Sequence, residues 1–226
     1  MKVLVKRTAA FQEFEVPREP SQTVLDVVTY IQRELDPTLA YRFACRVGMC
    51  GSCAMEVNGL PRWTCRTHVE KVLDQDTITV APLRNLPVVR DLVTDMREFF
   101  DKWARAKGQF QGARTRADDF EKVPPESEPR KAADAGIECI GCAVCYAACD
   151  TVTWNPRYLG PAALNRAWTL ENDARDRASA PRLEAVAGEG GCFSCHTHVS
   201  CTELCPKGIS PTAAISGLKR RFLKSA

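Results

Sequence analysis

No stretch of this chain reaches the roughly 18 uninterrupted apolar residues that a membrane-spanning helix needs. The opening residues, Met1 to Phe11, are broken by charge too soon to be the apolar core of an export signal. The chain is therefore expected to be soluble and unprocessed. Charge of one sign is also scarce: 31 Lys and Arg stand against 28 Asp and Glu, a net +3, which argues against nucleic acid or an acidic polymer as partner. Neither a G-x-G-x-x-G turn nor a P-loop occurs, so the usual backbone devices for holding nucleotide phosphates are missing. With 226 residues, 45% of them hydrophobic, the chain can build one large or two small cores.

What the chain has in excess is cysteine. Twelve cysteines without an export signal do not read as a secreted disulfide scaffold, and their grouping points to metal. The first group is Cys45, Cys50 and Cys53, followed by Cys65. Its C-x4-C-x2-C…C spacing is that of a plant-type 2Fe-2S site. Soft thiolates select such chemistry, and Gly48, Gly51 and Ser52 suit a loop whose backbone must pass close to sulfur. Structural zinc is the alternative, but zinc knuckles use paired C-x2-C units.

The second group, Cys139, Cys142, Cys145 and Cys149, has the bacterial ferredoxin spacing C-x2-C-x2-C-x3-C, whose fourth cysteine ligates the other cluster. The third group supplies that other cluster. Aligned on Cys205-Pro206, its run reads Cys195, His198, Cys201, Cys205, with histidine where a cysteine is expected. By the crossover rule Cys139, Cys142, Cys145 and Cys205 hold a 4Fe-4S centre, and Cys149, Cys195 and Cys201 are three thiolates suited to 3Fe-4S. Cys192 is left over, as a small buried thiol or as an alternative ligand; His198 is a second candidate for the vacant corner, because imidazole also suits iron.

Periodicity gives an α+β organisation. Strands are expected at 2–7, 11–16 and 77–81, a helix at 23–35, and a hairpin about Asn58-Gly59 with strands 53–57 and 61–66. This is a β-grasp-like plan, an N-terminal plant-type 2Fe-2S ferredoxin domain over residues 1–105. A helix is expected over 91–107 with Leu92, Met96, Phe99, Phe100 and Trp103 on one face. Residues 106–130 read as a polar connecting segment, and 131–226 as a helical, bacterial-ferredoxin-like domain. That domain includes a helix from Pro161 to about Arg177 and another after Pro211.

The whole pattern resembles the iron-sulfur subunit of the succinate dehydrogenase and fumarate reductase family. The resemblance rests on C-R-V-G-M-C-G-S-C-A-M, C-I-G-C-A-V-C-Y-A-A-C, W-N-P with L-G-P-A-A-L, and C-H-T-H-V-S-C-T-E-L-C-P-K-G-I-S-P. It implies an electron-transfer subunit of a succinate:quinone or fumarate:quinol oxidoreductase. The expected order is the FAD of a flavoprotein subunit, then 2Fe-2S, 4Fe-4S and 3Fe-4S, then quinone held with a membrane anchor subunit. Dicarboxylate chemistry belongs to the partner, so no catalytic residue is expected here. The family's quinone positions match Trp154, His196 and Lys219. The implied location is peripheral, on the cytoplasmic face of the inner membrane, and the basic run Lys219, Arg220, Arg221 and Lys224 is a candidate for facing lipid or anchor. The alternative is the iron-sulfur wire of another modular oxidoreductase, of the thiol-dependent fumarate reductase or glycerol 3-phosphate dehydrogenase type. The run broken at His198 argues against it. Two positions depart from the family: Asp150 stands where proline is usual, and His198 where an aliphatic residue is usual.

Overall fold

The computed structural model describes residues 1–225. They divide into two compact units, Met1–Met96 with Ile140–Ala148, and Arg97–Cys139 with the chain from Cys149 onward.

The first unit is a mixed five-stranded sheet covered by one helix. Its strands are β1 (Lys2–Lys6), β2 (Phe11–Glu15), β3 (Ala54–Val57), β4 (Leu60–Trp63) and β5 (Thr77–Ala81), in the order β2-β1-β5-β3-β4. Only β1 and β5 run parallel. The period-two alternation of β1 and β5 sends Val3, Val5, Ile78 and Val80 to one buried face. Helix α1 (Val24–Tyr30) covers that face with Val24, Val27 and Val28, and Ile31 joins them from a single π-turn over Ile31–Leu35. It starts at a capping box: the Thr23 hydroxyl accepts from the Asp26 N–H while the Asp26 carboxylate accepts from the Thr23 N–H. Asn58 and Gly59, with φ of 49° and 75°, make the tight turn between β3 and β4 for which this dipeptide is suited.

The expected helix over 91–107 begins later, at α2 (Arg97–Arg105), because residues 88–94 form a small hairpin of β6 (Val88–Arg90) and β7 (Val93–Thr94). Asp91 at its tip is the reason. It adopts φ 46° and buries a carboxylate that accepts from Arg7 Nε at 3.0 Å, from the Thr8 N–H and from the Ala40 N–H at 3.0 Å. Those three long-range partners outweigh helical periodicity. Leu92 and Phe99 are buried as expected, whereas Phe100 is 51% exposed and lies off the stripe.

The second unit is helical: α2, α3 (Glu128–Ile137), α5 (Asp150–Trp154), α6 (Pro161–Glu171), α7 (Ser179–Ala187), α8 (Ser200–Glu203) and α9 (Pro211–Ser225); the short α4 (Val144–Ala147) belongs to the first unit. Pro161 opens α6 as a first-turn proline after Gly160. Nearly all of α6 is buried, and α3, α7 and α9 pack around it. Gly217 of α9 lets the Trp168 ring of α6 come so close that a Cβ there would meet it at 2.6 Å. The helix expected to reach Arg177 ends at Glu171, where Glu171 and Asp176 pair with the fully buried Arg182 of α7. A buried charge needs such partners, and the turn that brings them together stops the helix.

Candidate iron-sulfur centres

In the first unit the segment ahead of Cys45 is anchored before the cluster loop begins. Asp91 holds the Ala40 N–H, and Arg42 donates to the Thr94 carbonyl at 3.0 Å. Tyr41 then stacks on Phe43, and the Arg46 guanidinium lies over the Phe43 ring. The loop that follows aims its backbone at sulfur: Cys45 Sγ accepts from the N–H groups of Met49 at 3.2 Å, Cys50 at 3.3 Å and Val47 at 3.5 Å. Gly48 and Gly51 make this curvature possible, with φ of 72° and 73° and with no room for a side chain. A Cβ on Gly48 would meet the Trp63 ring at 2.7 Å, and one on Gly51 the Cys142 Cα at 2.8 Å.

The four thiols of this group interact with one another. Burial opposes ionisation of Cys50, but hydrogen bonds from Ser52 and Cys45 outweigh it and bring the thiol down to about 6. Burial and the neighbouring Cys53 push Cys65 up to about 12. Cys65 arrives on the turn after β4, where Thr64 donates both its N–H and its hydroxyl to the Cys53 carbonyl. Four soft donors, sulfur-directed N–H groups and a dry inner wall of Leu25, Cys53 and Cys65 fit a 2Fe-2S cluster.

In the second unit Cys149, Cys195 and Cys201 come together. Burial, the largest cause, raises Cys149 and Cys201; Cys195 adds to both, and Cys149 adds to Cys201. The buried Tyr158 lies among all three; its phenol is raised by burial, then by the neighbouring Cys195 and Cys149, and it shares a hydrogen bond with Cys195. Cys195 Sγ also accepts the Thr197 N–H at 3.4 Å, and Cys201 Sγ lies 3.5 Å from the Thr212 hydroxyl. A small cavity is lined by the three cysteines, Tyr158 and His198. Three thiolates with hydroxyl and N–H partners fit a 3Fe-4S centre better than a closed four-thiolate one. Tyr158 and Thr212 carry no sequence signal of their own, since they reach the thiols through long-range packing.

The residues matched to a quinone site also lie near Cys195. Lys219 Nζ donates to the Cys195 carbonyl at 3.0 Å. Trp154 is 67% exposed and stands edge-on to His198, with ring centroids 5.6 Å apart. His196 lies 6.1 Å from His198, ring to ring. Cys192 is fully buried, and its thiol is raised by burial. Of the remaining cysteines, Cys142 and Cys145 fall in the first unit and Cys139 and Cys205 in the second. Arg84 and Asn85 fix the loop carrying Cys142 and Cys145 by donating to the Ala147 carbonyl at 2.6 Å and the Tyr146 carbonyl at 3.1 Å.

Comparison with known proteins supports iron-sulfur chemistry in both parts of the chain. A family model described as a 2Fe-2S iron-sulfur cluster binding domain matches residues 3–101, and one described as a 4Fe-4S dicluster domain matches 138–210. Fold and cysteine pattern together define an iron-sulfur electron carrier with 2Fe-2S and 4Fe-4S domains. The chain is 35% identical to a fumarate reductase iron-sulfur subunit of Mycobacterium tuberculosis, over 95% of this chain and 87% of the relative. It is 39% identical to a succinate dehydrogenase iron-sulfur subunit of Paracoccus denitrificans, over 88% and 76%. A chain of the Mycobacterium smegmatis Sdh1 complex in the apo form superposes with a TM-score of 0.88 at 29% identity, covering 99% of this chain and 95% of that one. The chain belongs to the iron-sulfur subunits of the succinate dehydrogenase and fumarate reductase family, and its role is electron transfer within that oxidoreductase. Among the described residues no helix is long and apolar enough to cross a membrane.

Proposed function

We propose that this subunit is a three-centre relay between a flavoprotein subunit bearing FAD and a quinone held with a membrane anchor, on the cytoplasmic face of the membrane. Cys45, Cys50, Cys53 and Cys65 hold 2Fe-2S; Cys139, Cys142, Cys145 and Cys205 hold 4Fe-4S; Cys149, Cys195 and Cys201 hold 3Fe-4S. The clusters supply one-electron chemistry that no side chain here can perform. The convergence of Cys149, Cys195 and Cys201 on one small cavity with Tyr158, with histidine at the place of a fourth cysteine, carries the reading.

The protein's own groups bind, screen and move protons. The Trp154 indole is a donor for a quinone oxygen and His196 a donor or proton carrier. Lys219 is a fixed positive charge, tied by its hydrogen bond to Cys195, that favours the reduced, more negative form of the ligand. The exposure of Trp154 and His196 beside the three-cysteine cavity supports this assignment, because a membrane-dissolved ligand has to reach them.

Electron paramagnetic resonance of the purified complex tests the relay. An oxidised three-iron signal, a reduced 2Fe-2S signal and about nine irons per chain, the sum for these clusters, are expected. About six irons with no oxidised three-iron signal overturns the third centre. His196→Ala is expected to slow quinone turnover while electron delivery to an artificial dye continues; equal loss of both with clusters intact removes His196 from the quinone site.

A further inference from the structure

The loop Cys195–Cys201 repeats the backbone of the loop Cys139–Cys145. In the earlier loop Gly141 and Ala143 are left-handed, with φ of 63° and 62°; in the later loop Thr197 and Val199 take the same two places, with φ of 62° and 67°. Between each pair stands one residue, Cys142 in the earlier loop and His198 in the later. Left-handed φ is uncommon outside glycine and a clear outlier for a β-branched residue. It persists only where the surroundings over-determine it. His198 therefore occupies the backbone place of a cluster ligand, in a loop held to that shape.

The side chain agrees with the backbone. His198 lines the same small cavity as Cys149, Cys195 and Cys201, and the edge-on Trp154 restricts its ring. Cys192, the other spare donor, is not among the residues lining that cavity. Neutral imidazole is a good ligand for iron and zinc.

We propose that His198 is the fourth protein ligand of a labile divalent-metal position at the open corner of the three-thiolate centre, one that takes Fe2+ or Zn2+. This rests on reading Cys149, Cys195 and Cys201 as a 3Fe-4S site. The step would balance with dithionite as the only other reactant: a three-iron core reduced by one electron would take up one divalent ion. The ion would be held by core sulfide and by the His198 imidazole lone pair, and the total charge would rise by the charge of the ion. Oxidation weakens the sulfide donors and releases the ion. The second cluster thereby passes between a three-metal and a four-metal form, and the residue that decides between them is His198.

The test uses the whole complex, oxidised with ferricyanide in the presence of a chelator, desalted, reduced with dithionite, and titrated anaerobically with Fe2+ and separately with Zn2+. The readouts, both taken in the reduced state without reoxidation, are metal retained after anaerobic desalting and the integer-spin signal of the reduced three-iron core. Wild type is expected to gain one metal ion per chain and to lose the signal. His198→Ala should need on the order of tenfold or more metal for the same loss, since even outer-shell partners of metal sites are worth 10–100-fold in affinity. His198→Cys should hold the ion at least as tightly as wild type. Identical titrations for wild type and His198→Ala overturn the proposal. So does a wild type that takes no ion while His198→Cys does, because the corner is then accessible but the imidazole is not aimed at it. Cys201→Ser separates the two readings. If it leaves the three-iron signal intact, or no variant shows that signal, the three-cysteine centre itself is wrong and the proposal falls with it.

Discussion

The two cysteine clusters that lie each within one unit strike different balances between hydrogen bonding and burial, although burial also raises Cys65 of the first. In the first, the loop wraps backbone N–H groups around sulfur: Cys45 alone accepts three of them, and Cys50 ionises at about 6 despite its burial. In the second, burial outweighs the hydrogen bonds: Cys149 and Cys201 are pushed up, although the Thr151 and Val152 N–H groups and the Thr151 hydroxyl reach Cys149, the Thr197 N–H reaches Cys195, and the Thr202 and Thr212 hydroxyls reach Cys201. Hydrogen bonds to sulfur and burial are both levers on a cluster's potential. The first lever wins at Cys50, in a loop rich in glycine, and the second at Cys149 and Cys201.

The largest test of this comparison is to remove one sulfur from each site. Cys50→Ser is expected to abolish the reduced 2Fe-2S signal and leave the oxidised three-iron signal at full intensity. Cys201→Ser should do the reverse and stop quinone reduction. If either substitution erases both signals with the chain still folded by circular dichroism, the two sites are not separately built.

A smaller effect separates the conformational basis of the two loops. Gly51→Ala must place an L side chain at φ 73° and force a Cβ to within 2.8 Å of the Cys142 Cα. The left-handed cost alone is about 1–2 kcal/mol, and the clash is with backbone, which cannot rotate away. Cluster content of the first site is expected to fall, with a lowered thermal midpoint, while Val199→Gly in the second loop relieves strain and leaves the three-iron signal intact. A Gly51→Ala protein with normal 2Fe-2S content would show that the close approach is not needed.

Much of this was legible in the sequence, and the exceptions share one physical cause. The Asn58-Gly59 turn and the cysteine spacings are local signals, since a few neighbouring residues determine each. The alternation of β1 and the apolar face of α1 are equally local. Asp91 was hidden because its partners Arg7, Thr8 and Ala40 are far away in the chain, and helical periodicity on either side of it was the stronger local pattern. The early end of α6 likewise depends on Arg182. His198 was visible as a broken motif, but the left-handed Thr197 and Val199 that make it a ligand place were not, because neither residue type favours that conformation.

Asp91 gives the next prediction, confined to the first unit. Burial works against its carboxylate, yet the Ala40 N–H and the Arg7 guanidinium hold it below the ordinary range. Asp36, bonded to Thr38 and Arg7, is brought to about 2. Both carboxylates therefore stabilise the fold above their unfolded values, near 4, and that contribution is lost as pH falls toward 2. Asp91→Ala is expected to cost on the order of 2–3 kcal/mol, as for a buried charged hydrogen-bond acceptor, and to flatten part of this acid dependence in denaturant titrations. An unchanged acid profile would move the acid lability elsewhere.

The smallest effect sharpens the comparison most directly. Ser52 helps to hold the Cys50 thiolate through its hydroxyl and its backbone N–H, and Ser52→Ala removes only the hydroxyl. A donor aimed at a ligating sulfur stabilises the electron-rich, reduced cluster more than the oxidised one. Its loss should therefore shift the 2Fe-2S midpoint to a more negative potential while the other centres stay where they are. Thr212→Val, the matching change at Cys201, removes a hydroxyl from a site governed mainly by burial and should shift the three-iron midpoint less. Redox titration followed by electron paramagnetic resonance reads both in the same complex. Equal shifts would mean that hydrogen bonding weighs alike at both sites, and the contrast between Cys50 and Cys201 would be lost.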